Sequence, residues 1–119
     1  LVLEIAAPPR TPLMVQIQSV QQIWNHAVSP AESIPFAWEA AFCNAGINDE
    51  RMARRLALPL DVNQNQFQFE MNDYQPIPGN PEPIDDRVKA YLYVYGRLGP
   101  VGFVSPGFYT NPMNIQVWY

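Results

Sequence analysis

Charged side chains are scarce in this chain. They make up 15% of its 119 residues, against about a quarter in an average domain. Seven basic and eleven acidic residues leave a net charge of −4 at pH 7, and the basic residues form no stripe. Such a chain offers little to the phosphates of a nucleic acid, so we do not expect nucleic-acid contact. The only basic group, Arg51, Arg54 and Arg55, is expected to pair with Asp49, Glu50 or a partner chain.

Cysteine and histidine are each present once, as Cys43 and His26. One cysteine excludes an intrachain disulfide, and a zinc site would need two distant carboxylates in addition to these two side chains. Cys43 lies in an apolar run, which predicts a buried thiol. No nucleophile or carboxylate lies at a catalytic spacing from His26. We therefore predict a protein that is not an enzyme and that has no metal site and no cofactor.

Long apolar runs are also missing. None approaches the 18 residues that a membrane-spanning helix needs, and no signal-peptide pattern is present. The chain has no initiator methionine and both of its ends look like the middle of a strand. These features predict a single β-rich domain over residues 1–119 that is a fragment or processed product of a longer chain.

Proline is the residue type in excess, with thirteen copies, or about twice the usual share. This excludes a long helical bundle. Glutamine and asparagine are also abundant, at nine each. A surface built from amides forms hydrogen bonds well and repels weakly, which suits contact with another protein.

Alternating apolar and polar residues predict strands through much of the chain. The segments are Leu1–Ala7, Leu13–Val20, Phe67–Met71, Arg87–Gly96 and Asn114–Tyr119. We expect at least one of the two end strands to be paired within a sheet, because an unpaired apolar strand invites association. Gln21–Val28 is ambiguous and is interpreted as a short helical turn.

The run Ile34–Cys43 fits either a helix or a strand, with a slight preference for a strand that places Phe36, Trp38, Ala40 and Phe42 on one face. Asn48 or Asp49 is placed to cap a short helix that turns Met52 and Leu56 toward the core. Together these patterns predict a mainly β fold. The expected architecture is an antiparallel sandwich or jelly-roll-like fold, complete or partial, with one or two short helices.

Two loops rich in proline or glycine are predicted at Gln75–Pro83 and Gly96–Pro112. Their apolar residues need a surface to cover them, so we expect both loops to contact neighbouring subunits. The acidic residues beside the first loop, Glu82, Asp85 and Asp86, lack the spacing of a calcium loop and are interpreted as a solvated turn.

Aromatic residues are concentrated in the last part of the chain. One face of the strand at 87–96 carries three tyrosines, and exposed aromatics on a strand are typical of protein interfaces and of sugar-binding platforms. The candidate interface residues are Tyr91, Tyr93, Tyr95, Ile77, Val101, Phe103, Phe108 and Tyr109. The competing interpretation is that many of these side chains fill the core.

Arg87–Tyr95 (RVKAYLYVY), a long loop and Asn111–Tyr119 (NPMNIQVWY) resemble the final two strands of jelly-roll coat proteins of picorna-like and calici-like RNA viruses. Leu1–Ser19 resembles a hairpin of the same family. The resemblance implies a structural protein of a viral capsid or similar shell that acts by subunit packing. Its partners would be copies of itself or sibling capsid subunits, within a virion assembled in the host cytoplasm.

A second hypothesis is a carbohydrate- or protein-binding β-sandwich module that uses an exposed strand face of Tyr91, Tyr93 and Tyr95. A glycan would then be the partner. An enzyme is a third class, but its candidate side chains have no spacing that connects them; they are Glu39, Glu70, Asp73 and His26.

Overall fold

A computed structural model describes residues 1–18, 22–61, 65–99, 104, 107–109 and 114–118. The described residues are 51% strand and contain one helix, which confirms the predicted mainly β class. In chain order the elements are β1 (Val2–Ala7), β2 (Pro12–Gln18), β3 (Gln22–Asn25), β4 (Glu32–Cys43), α1 (Glu50–Leu56), β5 (Leu58–Pro59), β6 (Gln66–Glu70), β7 (Val88–Leu98) and β8 (Asn114–Trp118).

The strands form two antiparallel sheets. The five-stranded sheet has the order β1-β7-β4-β3, with β5 also paired to β4, and the three-stranded sheet has the order β6-β2-β8. In the first sheet Val2 lies opposite Tyr93. In the second, β8 pairs along β2, with Val117 opposite Val15. Both end strands are therefore paired, as the sequence predicted.

The core lies between the inner faces of the two sheets. Val15 from β2, Trp38 from β4 and Leu92 from β7 meet there, each 7% exposed or less. The ring of Phe42 contacts those of Phe67 and Phe69, with centroids 5.2 and 4.7 Å apart. Each fully buried side chain of this size contributes about 1.5–3 kcal/mol relative to an exposed one. This packing confirms the preferred strand interpretation of residues 34–43.

Helix α1 covers part of the outer face of the five-stranded sheet. The side chain of Asp49 caps the helix by accepting a hydrogen bond from the backbone N–H of Met52 at 3.0 Å. Ala53 is fully buried and packs with Cys43. Cys43 is only 3% exposed, which confirms the predicted buried thiol, and this burial raises the pKa of the thiol. The prediction that Leu56 faces the core is wrong, because it is 52% exposed at the end of the helix.

Within the ambiguous segment 21–28, the helical-turn interpretation is wrong for residues 22–25, whereas residues 26–27 form a turn. Residues 22–25 form β3, which pairs with the start of β4 so that Ile23 lies opposite Ile34. In addition, β7 continues to Leu98, where it pairs with Phe36. In both places hydrogen bonds to the long strand β4 extend the sheet beyond what local sequence patterns indicate.

Candidate interaction surfaces

The tyrosine face of β7 is covered instead of exposed. Tyr91 and Tyr93 retain only 3% and 1% of their accessible surface and pack beneath α1. Tyr93 donates a hydrogen bond to the backbone oxygen of Glu50 at 3.2 Å, and the guanidinium of Arg54 lies 5.5 Å from its ring centre. The prediction of an exposed three-tyrosine strand face is therefore wrong. Only Tyr95, at 51%, is open to solvent.

Burial also determines the protonation of these tyrosines. Removal from water raises the pKa of Tyr93 to about 12, and the nearby Glu50 adds to the increase. The pKa of Tyr91 is raised as well, first by burial and then by the carboxylate of Glu4. Both hydroxyls are therefore neutral hydrogen-bond donors that hold α1 and the segment before it against the sheet.

The proline-rich segment 75–83 is anchored by a buried asparagine. The side-chain oxygen of Asn80 accepts from the backbone N–H of Asn48 at 2.6 Å. Its amide nitrogen donates to the backbone oxygens of Gly46 at 3.0 Å and Gln75 at 2.7 Å. Asn80 is only 7% exposed. One side chain thus connects the segment to the turn before α1.

The segment's apolar side chains nevertheless remain accessible. Ile77, one of the predicted interface residues, is 41% exposed, and Ile84 just beyond the segment is 80% exposed. The predicted contact of this segment with a neighbouring subunit stays a prediction. The acidic residues at the end of the segment and just beyond it are also exposed, in agreement with a solvated turn; they are Glu82, Asp85 and Asp86.

The remaining predicted interface residues lie elsewhere. Phe108 is 93% exposed and lines a groove of about 320 Å³ with Trp24 and His26. Tyr109 is half-buried and donates a hydrogen bond to Glu32 Oε2 at 3.1 Å. Val101 and Phe103 lie outside the described residues.

The outer face of the three-stranded sheet carries mostly amide side chains. We call it the amide face and define it by Gln16, Gln18, Gln66, Gln68, Asn114 and Gln116 together with Met14 and Trp118. The strand register aligns these residues in rows. Gln66 and Gln116 flank Gln16 in one row. In the next row, Gln68 and Trp118 flank Met14.

Two grooves lie on this face. The first, of about 390 Å³, contains Trp118 and Met14 together with residues of β6. The second, of about 360 Å³, is lined by five amide residues, Gln16, Gln18, Asn65, Asn114 and Gln116. Trp118 is 39% exposed. The side chain of Asn114 donates to Gln18 Oε1 at 3.1 Å, whereas those of Gln16 and Gln116 form no hydrogen bond within the described chain.

Trp118 is not among the candidate interface residues that the sequence predicted. The relevant signal is the alternation along β8. Ile115 packs inward. Because side chains alternate along a strand, Gln116 and Trp118 both lie on the outer face, opposite to Ile115 and Val117. The outward position of the tryptophan therefore follows from the same pattern that predicted the strand.

Charged groups form few and mostly exposed pairs. Arg54 and Glu50 are 2.6 Å apart on α1, as predicted, and Lys89 pairs with Glu4 across β7 and β1 at 3.1 Å. Within the described part of the chain, no cluster of three or more His, Cys, Asp or Glu side chains is placed to hold a metal ion. Among the same residues, no helix has the length and apolar character needed to cross a membrane.

No protein-family model, curated protein or solved structure matches this chain. The function is therefore inferred from the fold and from the chemistry of the surface.

Proposed function

We propose that this protein is a structural subunit of a viral capsid or a similar shell, and that it acts by packing against copies of itself or sibling subunits. The observation that carries the proposal is the distribution of exposed apolar side chains over the sandwich. Eleven large apolar side chains of the described chain are at least 39% exposed. A subunit with neighbours on several sides can bury exposed apolar side chains that lie on different elements, and this burial favours association.

The most exposed of these side chains lie on separate elements. Leu1 precedes β1, Leu58 is in β5, Ile84 follows the proline-rich segment and Phe108 lies between β7 and β8; all four are more than 70% exposed. Burying them against neighbours removes apolar surface from water at about 25 cal/mol per Å². Contacts through several elements also allow one subunit to touch more than one neighbour.

The sheet edges support the same conclusion. Strand β1 ends one sheet, and β6 and β8 end the other; none of these three has a further strand partner in the described chain. Edge strands expose backbone donors and acceptors that another chain can pair with. With charged residues at only 15% of the sequence, electrostatic repulsion between copies is weak.

Self-association tests the proposal directly. We expect sedimentation velocity and negative-stain electron microscopy to show concentration-dependent assembly. The double variant Phe108→Ser/Ile84→Ser should assemble more weakly and keep the thermal stability of the wild type, because both side chains are already exposed in the monomer. Gln68→Ser, an exposed polar position, is the matched control and should assemble normally.

A folded chain that stays monomeric at high concentration would contradict the shell proposal. Equal assembly by the double variant and the wild type would contradict the role of the exposed apolar side chains.

The alternative of a binding module based on the β7 tyrosines has less support. Two of the three side chains it requires, Tyr91 and Tyr93, are covered by α1 and use their hydroxyls within the chain.

A further inference from the structure

We propose that the amide face binds a neutral oligosaccharide, with the indole of Trp118 as the stacking surface and the amides of Gln16 and Gln116 as hydrogen-bonding partners of sugar hydroxyls. This inference does not require the shell proposal, although Trp118 is one of the eleven exposed apolar side chains counted there. It rests on the row register of the three-stranded sheet and on the chemistry of its two grooves.

The two grooves lie along one strand direction. The outward residues of β8 are Asn114, Gln116 and Trp118, at intervals of two residues. Trp118 lines the first groove and the other two line the second. Since alternate residues of a strand are about 6.6 Å apart, the three side chains form a continuous track longer than one sugar ring.

Amide side chains suit a ligand covered with hydroxyls. Each provides two N–H donors and a carbonyl acceptor in one plane, so one amide serves a hydroxyl in either role. The amides of Gln16 and Gln116 have no hydrogen-bond partner within the described chain. A ligand can therefore replace water at these amides without breaking a hydrogen bond within the described chain.

The exposed indole provides the apolar part of the site. Sugar rings present C–H groups on their faces, which pack against aromatic rings while the hydroxyls point sideways to polar groups. Met14 lies beside Trp118 in the same row and extends this apolar patch. A tryptophan at one end of a row of amide side chains thus offers both an apolar ring for the C–H face of a sugar and polar groups for its hydroxyls.

The charge of the site argues for a neutral ligand. The residues that line the two grooves include one charged side chain, Glu70, and no basic side chain. An anionic glycan would find no cation here. The apolar part of the face is limited to Trp118 and Met14, which is small for the core of a protein interface.

The binding experiment is titration of the isotope-labelled protein with cellohexaose, mannohexaose, maltohexaose and xylohexaose, observed by NMR. At least one of these neutral sugars should produce saturable shifts in the side-chain amide signals of Gln16 and Gln116. The signals of Asn48 and Asn80, which lie in the buried network on the other sheet, provide an internal control and should not move.

Variants assign the binding to the proposed side chains. Trp118→Ala should weaken calorimetric affinity at least tenfold, and Gln116→Ala about three- to tenfold. Tyr95→Ala removes an exposed aromatic from the opposite sheet and should leave affinity unchanged. Thermal unfolding of each variant verifies the fold, and Trp118→Phe should restore part of the lost affinity.

Three results would overturn this inference. The first is no saturable shift with any of the four sugars at millimolar concentration. The second is tighter binding of sialyllactose or a heparin hexasaccharide than of the neutral sugars. The third is a change in sedimentation for Trp118→Ala without a change in sugar affinity, which would make the face a contact between copies.

Discussion

The two sheets of this sandwich share one core but differ in what lies on their outer faces. The five-stranded sheet is partly covered by α1 and the segment before it, so that β7 is buried on both sides along most of its length. The three-stranded sheet carries the amide face, whose side chains are exposed or half-exposed. The two outer faces therefore differ in burial: the chain itself partly covers one of them, whereas the amide face is exposed to solvent.

Side-chain chemistry explains this difference. Tyr91 and Tyr93 combine large apolar rings with hydroxyls that find backbone acceptors in Asn48 and Glu50, so covering them is favourable. Covering glutamines requires a partner for every amide group, because an unsatisfied buried polar group costs about 1–3 kcal/mol. No described segment of this chain covers the amide face, which leaves the face available to other molecules.

The largest expected loss of stability comes from a substitution in the shared core, and a substitution on the amide face should cost much less. Leu92→Ala, at a fully buried position of β7, should lower the free energy of unfolding by about 3 kcal/mol through lost burial and a residual cavity. Gln116→Ala should change it by no more than about 0.5 kcal/mol. Urea denaturation of both variants measures the difference. Equal destabilisation would mean that the amide face is structurally buried.

The anchor of the proline-rich segment gives the next largest effect. Asn80→Ala removes three hydrogen bonds and leaves the Asn48 N–H without its acceptor. The Gly46 and Gln75 carbonyls keep the backbone N–H groups of Gln75 and Ile77 as donors. We expect a loss of about 2–3 kcal/mol and faster amide exchange across residues 75–83. Asn114→Ala on the amide face is the matched control and should be close to neutral. An Asn80→Ala variant as stable as the control would show that the network does not hold the segment.

Alkaline pH should weaken the covered face selectively. The folded state holds the Tyr93 proton more tightly, with the pKa raised to about 12, so its stabilising contribution is complete below the ordinary tyrosine pKa near 10. Stability should then fall as the pH rises from 10 toward 12. The destabilisation caused by Tyr93→Phe should therefore shrink by about 1–2 kcal/mol over this interval. Urea midpoints at pH 8 and pH 12 test this, and a constant difference would contradict it.

The smallest predicted effect concerns the cap of the covering helix. Asp49→Ala removes the acceptor of the Met52 N–H and should cost about 1 kcal/mol. Asp49→Asn keeps a side-chain oxygen at the same place and should cost less. Thermal unfolding resolves the two variants. If they are equally destabilised, the negative charge matters more than the hydrogen bond.

The periodic parts of the fold could be predicted from the sequence. Strands β1, β2, β6, β7 and β8 follow the alternation of apolar residues, and the cap at Asp49 follows from capping chemistry. Strand β3 was missed because four residues show too little periodicity and because its hydrogen bonds depend on β4. Local patterns describe one strand, whereas pairing depends on its neighbours.

The surfaces were harder to predict than the strands. Alternation correctly placed Tyr91, Tyr93 and Tyr95 on one face of β7, but it contains no information about which segment covers that face. For Asn80, a proline-rich context indicates a turn, and its burial depends on backbone groups more than thirty positions away. Both errors arise from long-range contacts that a single sequence does not display.

The register of the two sheets also limits when the chain can fold. Val2 pairs with Tyr93 and Gln18 with Asn114, so each of the first two strands meets a partner more than ninety positions later. At a synthesis rate of about 5–20 residues per second, the ribosome needs about 5–18 s to deliver those partners. During that interval the apolar strands β1 and β2 emerge without their sheets complete. Protection by a chaperone, or by a neighbouring nascent chain, would be most valuable in this interval.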